Sequence, residues 1–284
     1  MSNVLLQFSE GLTAAIETAS AYTLLVDARR RYPASGIAYA QDLVLTADHV
    51  VTREEEIRVG LPDGRSLPAT IAGRDPGSDL AVLRLAEKAL SPARTAKSAK
   101  VGQVVLALGR PSSAGVQASF GILTSINGPA RTWRGGLLDQ FYQSETIPYP
   151  GFSGGPLVDA EGALLGLNTS GLTRGEALTI PSGVAWTIAG ALAEHGAVKR
   201  GYLGIRTQPV EGGLLVLWLE KGGPAEAGGL LVGDILTKVN GQSLKDADDL
   251  FGALHGDVVG KKVAVEVSRG GQPQTLQVTP AERK

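Results

Sequence analysis

Gly151-Phe152-Ser153-Gly154-Gly155-Pro156-Leu157 sets one serine inside a glycine-flanked turn that leads into an apolar strand. Glycine takes up positive φ freely and lets another backbone come close, so the N–H groups of Gly151 and Ser153 can converge on one point. Two readings are open at this stage. The serine is either a presented nucleophile with an oxyanion site beside it, or a turn residue that bonds locally.

A serine hydroxyl needs a general base, and histidine suits that role near neutral pH. The chain has three histidines. His195 falls late in the amphipathic segment 184–195, on a solvated helical turn, and His255 sits between Leu254 and Gly256 at a helix end. His49 ends the apolar, β-prone run Leu43-Val44-Leu45-Thr46-Ala47-Asp48-His49-Val50, which places it at the end of a strand and makes it the preferred base. Asp79, in Gly77-Ser78-Asp79-Leu80-Ala81-Val82-Leu83, precedes another apolar run and can hold an imidazole in one tautomer. The order His49, Asp79, Ser153 is the chymotrypsin order of a catalytic triad.

Thr46-Ala47-Asp48-His49-Val50, Ser78-Asp79-Leu80-Ala81-Val82-Leu83 and 151–157, followed by Gly166-Leu167-Asn168-Thr169-Ser170, resemble the three catalytic blocks of the HtrA (Deg) family. That resemblance implies a trypsin-like serine protease domain, mainly β, with two six-stranded barrels and the active site in the groove between them. His49 and Asp79 would come from the first barrel and Ser153 from the second, with the amides of Gly151 and Ser153 as the oxyanion hole. By family position Ile147, Gly171 and Leu172 would line the primary specificity pocket. None of the three can pair with a basic side chain, so an apolar residue such as Val or Ala is expected before the cut bond. Leu167 to Ser170 would pair with the substrate main chain as an added strand.

Turn signals at Leu61-Pro62-Asp63-Gly64-Arg65 and Asp159-Ala160-Glu161-Gly162 separate short apolar runs from residue 22 to about 182, as in an all-β barrel or sandwich. A helix over 184–195 closes this domain, 1–199, with 196–200 as a linker. Over 200–284 the character changes. Gly201-Tyr202-Leu203-Gly204-Ile205-Arg206, Pro224-Ala225-Glu226-Ala227-Gly228-Gly229-Leu230 and 233–241 are similar to a PDZ domain, a small β-barrel with two helices. Asn240-Gly241 signals a type I′ hairpin, 246–254 an amphipathic helix, and 263–267 with 275–278 a final hairpin around Gly270-Gly271. Tyr202, Leu203, Gly204 and Ile205 are the candidates for receiving a C-terminal peptide by strand addition.

Across 284 residues, 27 basic and 28 acidic side chains leave a formal charge of −1, so nothing electrostatic points to nucleic acid or an anionic membrane. No apolar run reaches the roughly 20 residues of a membrane span. There is no cysteine, which removes disulfides and thiolate metal sites together and suits a reducing or an oxidising compartment. No phosphate-binding loop appears, and neither metal nor cofactor is needed by serine chemistry. Met1-Ser2-Asn3 lacks a basic leader, which favours the cytoplasm, with the cell envelope as the alternative. Leu5, Phe8, Leu12, Ala15, Ile16 and Ala19 recur at helical spacing, predicting an amphipathic helix over about 4–20. That helix packs on its own domain or, by family resemblance, serves a homotrimer or larger assembly.

The sequence departs from the family at Phe152, where Asn is common and digestive trypsins carry Asp. The ring either shapes the cleft or holds the oxyanion loop inactive, and it excludes the trypsin route of zymogen activation. Pro148 and Pro150 remove two N–H donors from the approach to the loop. The expectation is an ATP-independent endopeptidase acting on unfolded or damaged polypeptides and regulated by its PDZ domain. The alternative is a catalytically silent scaffold or holdase that binds peptides.

Overall fold

Short strands that each bury a face find their lowest-cost arrangement when the sheet closes, because closure leaves no unpaired edge. In the computed structural model, which describes residues 3–134, 136–173, 177–198, 201–254 and 258–282, this happens twice. Helix α1 (Val4–Ser20) is followed by β1 (Thr23–Asp27), β2 (Ala34–Ala38), β3 (Leu43–Ala47), β4 (Ile57–Gly60), β5 (Ser66–Asp75) and β6 (Leu80–Leu85). These strands close in the order β1-β2-β3-β6-β5-β4. Leu24, Val26, Ile37, Leu45, Val59 and Leu83 fill the interior with no exposure at all. Burying each such side chain is worth roughly 1.5–3 kcal/mol.

The second barrel is built from β7 (Val104–Ser112), β8 (Gly115–Asn127), β11 (Phe141–Ser144), β12 (Pro156–Val158), β13 (Leu164–Thr169) and β14 (Leu178–Pro181), in the order β11-β14-β13-β12-β7-β8. The short pair β9 (Ala130–Arg131) and β10 (Leu137–Leu138) lies between β8 and β11. Its core joins Val105, Ala107, Leu123, Tyr142, Phe152, Leu157 and Leu165. Helix α2 (Ser182–His195) packs on β5, β6 and β13 and ends at Gly196, whose φ of 77° lets its N–H cap the Leu192 carbonyl. Helix α1 is capped by the Asn3 side chain and buries only Ala15 and Ala19, while Val4, Leu5, Leu6 and Phe8 stay exposed.

Polar bonds tie one barrel to the other. The Tyr22 hydroxyl donates to the Gly162 carbonyl at 2.6 Å, and Arg110 Nε donates to the Thr23 carbonyl at 2.7 Å. Burial raises the Tyr22 phenol above its ordinary pKa, so it remains a donor at every physiological pH. Ser35, at the start of β2, accepts from Arg110 N at 2.8 Å and donates to the Gly151 carbonyl at 2.7 Å.

The chain divides into two units, Met1–Ala197 and Val198–Lys284. In the second, β15 (Gly201–Tyr202) pairs with β22 (Ala281–Glu282). The sheet contains β16 (Ile205–Val210), β17 (Gly213–Leu219), β18 (Ile235–Val239), β20 (Val263–Arg269) and β21 (Gln272–Val278) in that spatial order, with β19 (Gln242–Ser243) on β18. Helices α3 (Pro224–Ala227) and α4 (Ala247–Ala253) contribute Ala225 and Leu250 to a core with Leu214, Val216, Leu236 and Val265. Asn240 and Gly241 both take positive φ, 48° and 80°, in the tight β18–β19 turn. The residues Lys199, Arg200 and His255, read above as linker and helix end, lie outside the described residues.

Asp234 is buried in this unit and receives a two-pronged bond from Arg269, Nε to Oδ1 at 2.7 Å and Nη2 to Oδ2 at 2.8 Å. That bond, with the Leu231 N–H, holds its carboxyl below the usual carboxylate range. A depressed folded-state pKa contributes stability that is fully present above the unfolded value of about 3.9 and is lost as pH falls through the lower folded value. The thermal midpoint of this unit is expected to fall steeply below about pH 4, and Arg269→Gln is expected to flatten that dependence in calorimetric scans across pH. An unchanged slope in the variant would exclude the pair as its source.

Candidate active site

The apolar run of β3 ends in a single 3-10 turn, Asp48–Val50, which stops the strand and turns His49 out of the barrel wall. Asp79 sits one residue before β6 with φ 57°, a left-handed conformation that Asp tolerates better than most residues. Its Oδ2 meets His49 Nδ1 at 2.7 Å, and its Oδ1 accepts the His49 backbone N–H at 2.8 Å. The Thr169 hydroxyl donates to the same Oδ2. Asp79 is fully buried, so these three bonds replace the water it has lost. A carboxylate at Nδ1 places the imidazole proton there and leaves Nε2 as the basic atom.

Ser153 lies in the turn before β12. Within 151–155 the Phe152 N–H goes to the Tyr149 carbonyl at 3.0 Å, the Gly154 N–H to Asn168 at 2.8 Å and the Gly155 N–H to Phe152 at 2.8 Å. The N–H groups of Gly151 and Ser153 have no acceptor among the described residues. The φ of 90° at Gly151 permits this turn, and its carbonyl is held by Ser35. The Ser153 hydroxyl bonds to the Ser170 hydroxyl at 3.2 Å. Ser153, His49, Gly151 and Ser170 line one cleft of about 680 Å³.

Phe152 does not cross this cleft. Its ring is buried in the core of the second barrel, edge-to-face with Tyr149 at 5.4 Å, and rests against Gly109, where a Cβ would stand 2.5 Å from it. Asp48, the charged neighbour of His49, is buried and paired with Arg74 Nε at 2.6 Å and Arg134 Nη1 at 3.3 Å.

The family resemblance assigns Ile147, Gly171 and Leu172 to the primary specificity pocket. None of the three lines the cleft. Ile147 is largely exposed and Leu172 is buried, while a Cβ at Gly171 would meet Asp79 Oδ2 at 2.4 Å and His49 Nδ1 at 2.5 Å. A recess of about 30 Å³ instead adjoins the cleft, sharing Pro148, Phe152, Asn168 and Ala177 with it and closed by Ala107 and Thr146.

In the second unit Leu203 is buried, with its carbonyl accepting from Ala225 N, and Gly204 takes φ 73° with its carbonyl accepting from Glu220 N. The N–H groups of Leu203 and Gly204 have no acceptor among the described residues, and Ile205 begins β16, an edge strand. Tyr202 pairs with Ala281. Among the described residues no group of His, Asp or Glu could hold a metal ion, and no helix is long and apolar enough to cross a membrane.

Three contributors escaped the sequence reading: Thr169 on Asp79, Ser170 on Ser153, and Ser35 on Gly151. Thr169 and Ser170 stood in a quoted motif, yet only their backbone was assigned a part. Ser35 had no local signal, since its partners are 75 and 116 residues away.

Residues 34–167 match the model of the trypsin-like peptidase domain, and residues 201–279 that of the PDZ domain. A "Probable periplasmic serine endoprotease DegP-like" of Halomonas elongata is 35% identical over 272 residues, covering 88% of this chain and 56% of the relative. A protein of the same description from Ectopseudomonas mendocina is 35% identical over 262 residues, covering 86% and 55%. The chain thus spans about half the length of these curated relatives. Among solved structures, the HtrA-type protease AlgW with decapeptide superposes with a TM-score of 0.82 at 27% identity, covering 96% of this chain and 99% of that one. The serine endoprotease from Yersinia pestis gives 0.81 at 29%, covering 96% and 98%.

Close packing over the His49–Asp79 bond generates a test. Gly171→Ala is expected to force the two side chains apart, and the low-field proton resonance of His49 Nδ1–H should disappear while the chain stays folded. Persistence of that resonance would show that the loop yields instead.

Proposed function

Because this chain belongs to the HtrA family of trypsin-like serine proteases that carry a PDZ domain, we propose that it is an ATP-independent serine endopeptidase. The observation that carries the reading is buried Asp79 holding a partly exposed His49 that faces the same cleft as Ser153, beside two amides with no acceptor among the described residues. When a peptide enters, the Ser153 hydroxyl exchanges Ser170 for His49, and catalytic contacts often tighten only in such a complex. His49 Nε2 takes the hydroxyl proton as Oγ attacks the carbonyl carbon, and the amides of Gly151 and Ser153 stabilise the oxyanion. Collapse of the tetrahedral species breaks the C–N bond, and His49 gives its proton to the leaving amine. Water, deprotonated by His49, then hydrolyses the acyl-enzyme, and Asp79 stabilises the imidazolium throughout.

The 30 Å³ recess floored by Phe152 and walled by Ala107 and Ala177 supports a small apolar side chain, Ala or Val, before the cut bond. Unfolded polypeptides are the proposed substrates, since an added strand along 167–170 requires an extended chain. In the second unit the uncommitted amides of Leu203 and Gly204 beside edge strand β16 support capture of a C-terminal carboxylate and strand, the input by which this unit would regulate cleavage. The exposed Val4, Leu5, Leu6 and Phe8, with Phe8 edge-to-face on exposed Phe120 at 5.9 Å, support a homotrimer or larger assembly.

The Ser153–Ser170 bond favours a second reading, a peptide-binding protein with a silent protease domain. Digestion of unfolded casein separates the two. Ser153→Ala and His49→Ala are each expected to remove cleavage, and Asp79→Asn to lower kcat by about 10⁴. A fluorophosphonate should label Ser153. Equal casein turnover by wild type and Ser153→Ala, or no labelling, would support the silent reading. A peptide-library profile is expected to show Ala and Val before the cut, and dominance of Arg or Lys there would overturn the recess assignment.

A further inference from the structure

We propose that the Arg29-Arg30-Arg31 turn between β1 and β2 makes this cleft select substrates with acidic side chains on the C-terminal side of the cut bond. The inference rests on the endopeptidase reading and adds a specificity that the triad does not supply. All three arginines and Tyr32 line the cleft that holds His49 and Ser153, and no Asp or Glu lines it among the described residues. Arg29 is spent on the turn itself, donating to the carbonyls of Tyr32 and Pro33. Arg30 and Arg31 are exposed and make no hydrogen bond or ion pair among the described residues. The contrast within the same barrel is sharp: Arg53 has Asp27, Arg65 has Asp63 and Glu87, Arg74 has Asp48, and Arg84 has Asp42. Two adjacent unneutralised cations in a concave surface create a local positive potential that the net charge of −1 hides.

The side of the cut follows from what flanks Ser153. Ser170, one residue past β13, touches its hydroxyl, and 167–170 is where the substrate strand is proposed to pair. Gly151, two residues before Ser153, is tied to the arginine turn instead, its carbonyl bonded to Ser35 and its Cα so near that a Cβ would stand 3.1 Å from the Pro33 carbonyl. A chain that pairs with 167–170 and presents its carbonyl to Ser153 must continue past Gly151 and the arginine turn. Carboxylates at the first or second position beyond the cut then meet Arg30 and Arg31. The guanidinium fork suits a carboxylate, and partly exposed pairs of this kind favour binding by a factor of about three to ten in total.

Quenched-fluorescent peptides that share one N-terminal half ending in Val and carry Glu, Ala or Lys at both positions after the cut test this on the full chain. The expected order of kcat/KM is Glu above Ala above Lys, with about three- to tenfold between Glu and Ala, and the differences narrow in 0.5 M salt at a Debye length of about 4–5 Å. R30E/R31E is expected to invert the order, and R30Q/R31Q to level it. Both positions are exposed and have no partner among the described residues, and an unchanged thermal midpoint confirms the fold of each variant. Equal rates for Glu and Ala in the wild type, or an order that survives R30E/R31E, would overturn the inference while leaving the protease reading intact. No cleavage of any peptide together with no fluorophosphonate label on Ser153 would overturn the protease reading, and this inference with it.

Discussion

The hydroxyl of Ser35 is the point on which the geometry of the cleft turns. It is fully buried, accepts the Arg110 N–H from the second barrel and donates to the Gly151 carbonyl, while its own N–H goes to the Ser153 carbonyl at 3.2 Å. A buried hydroxyl with one donor and one acceptor partner is satisfied only in that arrangement. Because the Gly151 carbonyl is claimed there, the peptide on its other side has its N–H left for something else. Close packing reinforces the arrangement: a Cβ at Gly154 would collide with the Ser35 carbonyl and the Thr46 hydroxyl, and one at Gly155 with the Leu108 carbonyl. The glycines of the turn are therefore needed for contact as well as for dihedral freedom.

A second constraint acts from the opposite wall. Asp79 has no exposure to water, and a buried carboxylate is tolerable only when its lone pairs are engaged. Two of its partners come from the His49 residue of the first barrel and one from Thr169 of the second. The carboxylate consequently fixes the imidazole and links the barrels at once. The neighbouring Asp48 is handled differently, by neutralisation between Arg74 and Arg134, so that it does not compete for the histidine. Of the arginines that line the cleft, Arg30 and Arg31 have no ion-pair partner among the described residues.

Much of this was legible in one sequence. Apolar runs with turn signals gave the strands, helical spacing gave α1, and Asn240-Gly241 gave its turn, because all of these are set by interactions a few residues apart. His49, Asp79 and Ser153 stood out because each ends or begins an apolar run, where a polar side chain has a reason to exist. Phe152 was recognisable as unusual, but its destination was not: whether a ring enters a core or a cleft depends on Gly109, 43 positions away.

By itself, then, the sequence determined the two domain types and most of the strand and helix content, and it nominated the candidate residues of the site. Their local patterns follow from backbone sterics and hydrophobic periodicity. Only the tertiary structure decided which partners satisfy each buried polar group. It set Ser35 on Gly151, Thr169 on Asp79 and two arginines on Asp48, and among the described residues it set no partner on Arg30 and Arg31. Desolvation makes those choices, and it acts only when distant segments have been brought together.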